Sequence, residues 1–280
     1  MKASSSTSTA LLESGAAKSP TKTVTEEKIP IMYVQLFGGL RIHIGGMPID
    51  ETKLSKTKMR LLLAHLVSRF GREVGRDTLI ESLWPGFDKD RGLDNLYVVW
   101  SMLKRITEGV ADSSKYFINY GTIYRINSRY VKSDVQEFDL LARKLVFSKL
   151  DRESLIETFF RMDELYTGDV LSGLRCDDYT MRMRDRYRNT YVDMLISSAR
   201  AFIDLKDSSM ALWFARKALS IDSTREDVFQ TLMMAQGIAG QRTAGMDTYF
   251  MCKRYLDENL GIALSHKTIE IYEKLLNDEY

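Results

Sequence analysis

Basic, hydroxyl and apolar side chains recur at helical spacing between residues 91 and 105. At about 100° per residue, with Leu96 towards a core, one face carries Arg91, Asp94, Val98, Ser101, Met102 and Arg105. In a major groove, arginine can donate to guanine, serine can bond to several bases, and apolar side chains can touch the thymine methyl group. Lys104 lies on the flank, where it suits a phosphate, whereas Asp94 is repelled by phosphates unless it accepts from cytosine. The pattern predicts a helix that contacts DNA.

Further positive or polar groups lie on both sides of this segment. They are Lys56 and Lys58 at the start of an earlier helix, and Tyr120, Thr122 and Arg125 in a later hairpin. We interpret all five as candidate DNA contacts. The alternative interpretation of the helix is an amphipathic element with a solvated face, and each lysine alone is typical of ordinary surface charge.

The elements around the segment predict a helix-turn-helix with a wing. A first helix begins with Ser55 as N-cap and runs to Gly71, and a second runs from Arg76 to Pro85. A third begins near Asp90, and its core face comprises Leu96, Val99, Trp100, Leu103 and Ile106. Two strands around Gly38-Gly39 precede the helices, and a hairpin at 116–126 around Tyr120-Gly121 follows them.

The second half of the chain is predicted to be helical throughout. The expected helices are 134–147, 151–165, 177–205, 208–221, 225–238, 243–260 and 267–276. An offset of 33 superimposes Ala211, Ala215 and Ala218 on Ala244, Thr248 and Met251, which is close to the period of stacked helix pairs. The predicted fold class is therefore mainly α with a small β component, a winged helix-turn-helix followed by an all-α, tetratricopeptide-like helical-repeat domain.

Length and charge are consistent with this division. A chain of 280 residues with 44% hydrophobic residues can bury two cores. We expect a disordered N-terminal arm at 1–30, because Ser, Thr, Ala, Lys and Glu dominate it, then a winged-helix domain at 31–126 and a helical domain at 127–280. The net charge is only +2, but Lys and Arg outnumber Asp and Glu by 14 to 10 in 31–126 and are outnumbered by 25 to 22 in 127–280.

The sequence contains no set of residues that would indicate an enzyme, a metal-binding protein or a membrane protein. Two distant cysteines, Cys176 and Cys252, suggest free thiols in the reducing cytoplasm, and no apolar run predicts a signal peptide or a membrane span. The histidines have no partners at metal-ligand spacing, and no phosphate-binding glycine loop or nucleophile motif occurs. The sequence therefore predicts neither an enzyme nor a bound cofactor or metal.

The run RMRDRYRN at 182–189 is the second basic feature. It is open to two interpretations, a nucleic-acid patch or a solvated helix face whose arginines form ion pairs within the helix, and the second is favoured.

Several motifs carry a family resemblance. They are RLLLAHLVSRFGREVGRDTLIESLWPG, SMLKRI, YGTIYRI and DVQEFDLLARK. The segment from Tyr33 to Ile126 resembles the winged helix of OmpR-type response regulators, and its continuation resembles the bacterial transcriptional activator domain. In this order the two resemble the antibiotic regulatory proteins of streptomycetes.

The resemblance implies a sequence-specific transcriptional regulator, with a leaning to activation, that binds double-stranded promoter DNA. It also implies a homodimer on direct repeats and contacts with RNA polymerase. Three positions depart from the family pattern: the family usually has Arg at Met102, Arg or Asn at Asp94, and Gly at Ile123. The first two departures remove positive charge from the helix face predicted to enter the groove.

The main alternative function is a protein-interaction adaptor. In that case the helical repeats bind a partner protein, and the winged helix has lost its ability to read DNA. The two functions differ in the role of the outward face of the third helix.

Overall fold

The computed structural model describes residues 29–280, so the predicted arm lies outside the described residues except for its last two positions. Ile29 and Pro30 are half-buried, and the Tyr116 hydroxyl donates to the Pro30 carbonyl at 2.7 Å. Among the described helices, none is both long enough and apolar enough to cross a membrane.

A four-stranded sheet opens the described chain. Its strands are β1 (Met32–Gln35), β2 (Arg41–Ile44), β3 (Met47–Pro48) and β7 (Val131–Ser133). They lie in the order β3-β2-β1-β7, with β1 and β7 parallel and the other neighbours antiparallel. The predicted β1–β2 pair is confirmed. Alternate residues Met32, Val34, Ile42 and Ile44 point into the core, as the period of two requires.

Three helices follow in the predicted order. They are α1 (Thr57–Val67), α2 (Arg76–Leu83) and α3 (Lys89–Arg105). The prediction that Ser55 is the N-cap of the first helix is wrong. A 3-10 turn, Glu51–Leu54, occupies the preceding residues, and Asp50 caps it by accepting from the Thr52 amide at 2.9 Å. Ser55 ends that turn, and the N-cap of α1 is Lys56, which makes no side-chain cap.

The wing belongs to a separate three-stranded sheet. Its strands are β4 (Val74–Gly75), β5 (Phe117–Tyr120) and β6 (Ile123–Ile126), in the order β4-β6-β5. The hairpin of β5 and β6 was predicted, but β4 was not, since two residues are too few for a periodic pattern. β4 leads directly into α2, so its pairing with β6 fixes the wing beside the start of that helix.

Seven further helices match the predicted segments within about one residue at each end. They are α4 (Asp134–Phe147), α5 (Arg152–Leu165), α6 (Asp178–Asp204), α7 (Ser208–Ile221), α8 (Glu226–Ile238), α9 (Arg242–Leu260) and α10 (His266–Leu276). Aspartates supply several N-caps: Asp151, Asp177 and Asp207 each accept from the amide three residues ahead. Consecutive helices from α6 to α10 pack against one another, as in a helical-repeat array.

The internal repeat has a different register from the predicted one. Met251 is 49% exposed, whereas the buried face of α9 carries Gly245, Thr248, Cys252 and Leu256. An offset of 34 therefore aligns buried Ala211 and Ala218 with Gly245 and Cys252. Gly245 allows α9 to approach α10 closely, because a Cβ there would lie 2.8 Å from Leu275 Cδ1 on α10.

The two halves share one continuous core. Asp134 begins α4, and its Oδ2 accepts from the amides of Leu36 and Phe37 at 2.8 Å each. The Phe37 ring packs against Phe138 of α4 and Tyr187 of α6, with centroids 5.1 and 5.2 Å apart. The link at residues 127–133 thus returns to the first sheet before the helical half begins.

Candidate nucleic-acid interface

A short turn joins α2 to α3 and starts the helix-turn-helix unit. Asp88 caps α3 by accepting from the Arg91 amide at 2.8 Å. The two helices then approach closely at Gly92, where a Cβ would lie only 2.4 Å from Ile80 Cγ2. A larger side chain at 92 would force them apart. The sequence alone gave no sign that this glycine is needed.

The inner face of α3 is locked onto the wing. The Trp100 ring meets Tyr124 of β6 edge-on, with centroids 4.9 Å apart, and meets Phe117 of β5 at 6.1 Å. The Arg76 amide at the start of α2 donates to the Thr122 carbonyl in the hairpin turn at 2.7 Å. These contacts hold α2, α3 and the wing as one unit, and the predicted core face of α3 is confirmed by its burial.

The opposite face of α3 points to solvent. Arg91, Asp94, Val98, Ser101 and Arg105 are all exposed, and Val98 is 55% exposed. Met102 differs from the expectation, because it is only half-exposed and packs against the edge of the core. Lys104 is also half-buried and lies on the flank, as predicted.

Tyr97 was missed in the sequence analysis. Its side chain is 48% exposed on the same side of α3 as Ser101. Burial raises the pKa of the Tyr124 phenol, with nearby Tyr97 adding to the rise and Arg76 opposing it. Tyr97 and Arg76 therefore lie at the junction of α3 with the wing. The sequence contains one signal for this exposure: residue 97 lies about 100° around the helix from the core residue Leu96, at the edge of the outward face.

The charged side chains on α3 are weakly engaged. The Arg105 guanidinium lies 3.9 Å from Glu108, and both side chains are 71% exposed, so this pair contributes little and leaves Arg105 available. The Arg91 guanidinium lies over the Phe87 ring at 4.4 Å, which holds it at the start of the helix. No cationic group of the described residues lies within 4.0 Å of the Asp94 carboxylate.

The two predicted lysines have different environments. Lys56 is exposed and lines a shallow depression with Met102 and Arg105, so it lies near the end of α3. The Lys58 ammonium is half-buried, donates to the Leu83 carbonyl at the end of α2, and lies 5.9 Å from the Trp84 ring centroid. Lys58 thus stabilises the carboxyl end of α2, where a cation interacts favourably with the helix dipole.

The wing tip presents polar groups. Tyr120 is 65% exposed, and Thr122 is exposed beside Gly121, whose φ of +60° suits glycine in a tight turn. Arg125 is half-buried on β6. The family departure at Ile123 fits this backbone, because Ile123 lies within β6, pairs with Gly75 and Tyr120, and needs no positive φ.

No group of three potential metal-ligating side chains occurs within residues 29–280.

Comparisons with known proteins agree with this architecture. A search of curated protein sequences finds no match. The solved structure of Mycobacterium tuberculosis EmbR in complex with a low affinity phosphopeptide is similar, with a TM-score of 0.71 and 20% identity. The similarity covers 89% of this chain and 65% of that one, so this chain spans less than two thirds of its length. At this identity the likeness shows the fold, and it confirms the predicted fold class.

The family model of the bacterial transcriptional activator domain matches residues 134–276, which is α4 through the end of α10 and just over half of the chain. The match begins at the DVQEFDLLARK motif that carried the sequence resemblance. The chain therefore belongs to the bacterial transcriptional activator domain family.

Proposed function

We propose that this protein is a transcriptional regulator that binds double-stranded promoter DNA in a sequence-specific manner and activates transcription. In this proposal α3 enters the major groove, and the wing at 117–126 contacts the neighbouring minor groove or backbone. The observation that carries the proposal is the division of α3 into two faces, one locked onto α2 and the wing and the other exposed and unengaged. A helix held rigidly by its inner face can present its outer side chains to base edges with fixed geometry.

The outer face has the chemistry for direct readout. Arg105 can donate two hydrogen bonds to guanine, and exposed Val98 can pack on a thymine methyl group. Ser101 on this face and neighbouring Tyr97 carry hydroxyl groups, which suit base edges or phosphates. Six side chains flank the helix, and we assign them to contacts with the DNA backbone. They are Lys56, Arg76, Lys104, Tyr120, Thr122 and Arg125.

The helical half would assemble two copies on neighbouring half-sites about one helical turn apart, or contact RNA polymerase. Exposed apolar side chains on α4 support a protein contact by this half. Leu140 is 60%, Val146 is 57% and Phe147 is 84% exposed. Single exposed apolar residues are ordinary, but three within two helical turns indicate a surface that a partner covers.

Selection from a random duplex pool, with the purified full chain at stated salt, tests the proposal. We expect enrichment of a short motif, repeated in the same orientation at a spacing of about 10–11 base pairs. The substitution Val98→Asp should abolish enrichment, whereas Glu153→Gln on α5 should leave it unchanged. If the folded chain enriches no sequence from the pool but still binds a protein partner, sequence-specific DNA binding is contradicted and the adaptor function is supported.

A further inference from the structure

A basic cleft lies between the two halves of the molecule, beyond the carboxyl end of α1. It has a volume of about 370 Å³. Five arginines line it, Arg69, Arg72, Arg143, Arg182 and Arg186, together with one carboxylate, Asp139. Arg69 and Arg72 follow α1, whereas the other three lie on α4 and α6. The cleft therefore takes its charge from both halves.

The positive charge in the cleft is largely uncompensated. Arg186 pairs with Asp139 at 3.6 Å. Within the described part of the chain, no carboxylate lies within 4.0 Å of the other four guanidinium groups. The expected ion pairs inside the RMRDRYRN helix are not formed. Arg188 instead pairs with Asp169, and Arg184 donates to backbone carbonyls at residues 170, 171 and 174. Arg182 is thus left facing the cleft.

Aromatic rings hold two of these arginines in place. The Arg69 guanidinium lies over the Tyr179 ring at 5.1 Å, and its Nε is buried with no hydrogen-bond partner among residues 29–280. The Tyr179 hydroxyl bonds to Ser68 Oγ at 3.0 Å, so the ring is fixed as well. The Arg186 guanidinium lies over the Tyr187 ring at 4.2 Å. The two rings thereby hold these guanidinium groups in fixed positions beside the cleft.

We propose that this cleft binds a small polyphosphate, such as the diphosphate group of a nucleotide or free pyrophosphate. Arginine matches phosphate oxygens with two parallel hydrogen bonds, and several guanidinium groups around one cavity suit an anion with more than one negative charge. The volume falls within the range of small-molecule sites and is too small for a duplex. The cleft shares no residue with the outward face of α3 or with the wing.

The ligand would act as a bridge between the halves. Without it, arginines of the two halves repel one another across the cleft. A bound diphosphate would replace this repulsion by hydrogen bonds to both sides, and so stabilise the packing of the winged helix on the helical half. The free energy of unfolding would thereby depend on the concentration of the ligand.

Isothermal titration of the purified full chain, without DNA, tests the proposal independently of promoter binding. The probes are sodium pyrophosphate, ATP and sodium sulfate at one ionic strength. We expect pyrophosphate to bind with one site per chain and at least about tenfold more tightly than sulfate. ATP binding as tightly or more tightly would identify a nucleotide as the source of the diphosphate, and weaker ATP binding would identify free pyrophosphate.

Two exposed arginines provide the test variant, R72Q combined with R182Q, and R105Q on α3 is the matched control. The double variant should lose at least about tenfold in pyrophosphate affinity, while R105Q keeps it. Circular dichroism confirms that each variant is folded. Equal affinity for pyrophosphate and sulfate, undetectable binding, or an unchanged affinity in the double variant would overturn the proposal. Competition by duplex DNA for the same site would also overturn it and assign the cleft to the DNA backbone.

Discussion

The Nε2 of His65 lies 2.8 Å from the Oδ2 of Asp177, and this contact joins the winged helix to the helical half. The two side chains are only 1% and 6% exposed. Asp177 is also the N-cap of α6, because its Oδ1 accepts from the Thr180 amide at 2.9 Å. Burial opposes ionisation of Asp177, but the hydrogen bonds from His65 and Thr180 outweigh it and lower the pKa of this carboxyl. Asp177 thus caps α6 and also holds the buried His65 side chain of α1 in place.

Replacement of Asp177 by alanine should therefore cost more than the loss of a cap. We expect D177A to lower the free energy of unfolding by about 2–4 kcal/mol, because a cap is lost and buried His65 is left without its partner. The matched control is D151A, which removes an equivalent cap from α5 but no buried partner and should cost about 1 kcal/mol. Urea unfolding measures both, and equal costs would show that the His65 contact adds no stability.

Asp134 predicts a pH dependence of stability. Burial raises the pKa of its carboxyl to about 6, although the amides of Phe37, Leu36 and Val135 donate to it and favour the charged form. Since the folded-state pKa lies above the unfolded value of 3.8, the contribution to stability is complete below pH 3.8 and is lost as the pH rises through about 6.

The D134N variant isolates this effect, because its amide oxygen can accept from Leu36 and Phe37 but does not titrate. Between pH 4 and 7 the free energy of unfolding of the native chain should fall relative to D134N, by up to about 3 kcal/mol. Urea unfolding at both pH values measures the difference. A relative rise over the same interval would mean that the three amide donors outweigh the burial of the carboxyl.

The close approach at Gly92 predicts an unusual response to alanine. A glycine-to-alanine change inside a helix normally stabilises it by about 0.5–1 kcal/mol. Here the new methyl group would overlap Ile80 Cγ2, a stiff β-branched position, so we expect G92A to destabilise the fold by about 1–3 kcal/mol. Gly75, the N-cap of α2, is the comparison site: the nearest atom to a Cβ there is 3.7 Å away, so G75A loses only the preference for glycine over alanine at an N-cap and should cost less than G92A. If G92A were as stable as the native chain, α2 and α3 would not be in tight contact.

Asp94 predicts a gain of DNA affinity on neutralisation. Its carboxylate is exposed on the outward face of α3 and has no cationic partner within residues 29–280, so it should repel DNA phosphates. We expect D94N to bind DNA several-fold more tightly at about 0.1 M salt, and this difference should shrink as salt screens the charge. Fluorescence anisotropy measures it, with D185N on α6 as the control. A loss of affinity confined to sites with one particular base pair would instead show that Asp94 accepts from cytosine.

The elements of this fold were largely predictable, because amphipathic patterns mark the helices and aspartate N-caps mark the starts of four of those described. Short features were not. The two-residue strand β4 has no periodicity of its own and forms only because β6 lies beside it. Similarly, β7 depends on pairing with β1, nearly a hundred residues earlier.

The residues of the candidate nucleic-acid interface were predictable in part, because the helical periodicity of α3 is clear in the sequence. Helical geometry identified the outward positions Arg91, Val98 and Arg105, because the core residues of α3 are clear in the sequence. It could not show that Lys58 donates to a helix end, that Met102 packs on the core edge, or that Tyr97 meets the wing. These outcomes depend on which elements are neighbours in space, and the same is true of the arginines gathered in the basic cleft.

Base reading by α3 is tested most directly by a comparison of two adjacent side chains, Arg105 and Lys104. Binding of R105A and K104A would be measured by anisotropy, at equal salt, on the selected motif and on each single-base variant of it. We predict that R105A loses about 1–3 kcal/mol on the motif and no longer distinguishes one base pair, whereas K104A weakens binding equally on every sequence. Equal, sequence-independent losses in both variants would contradict base reading by α3.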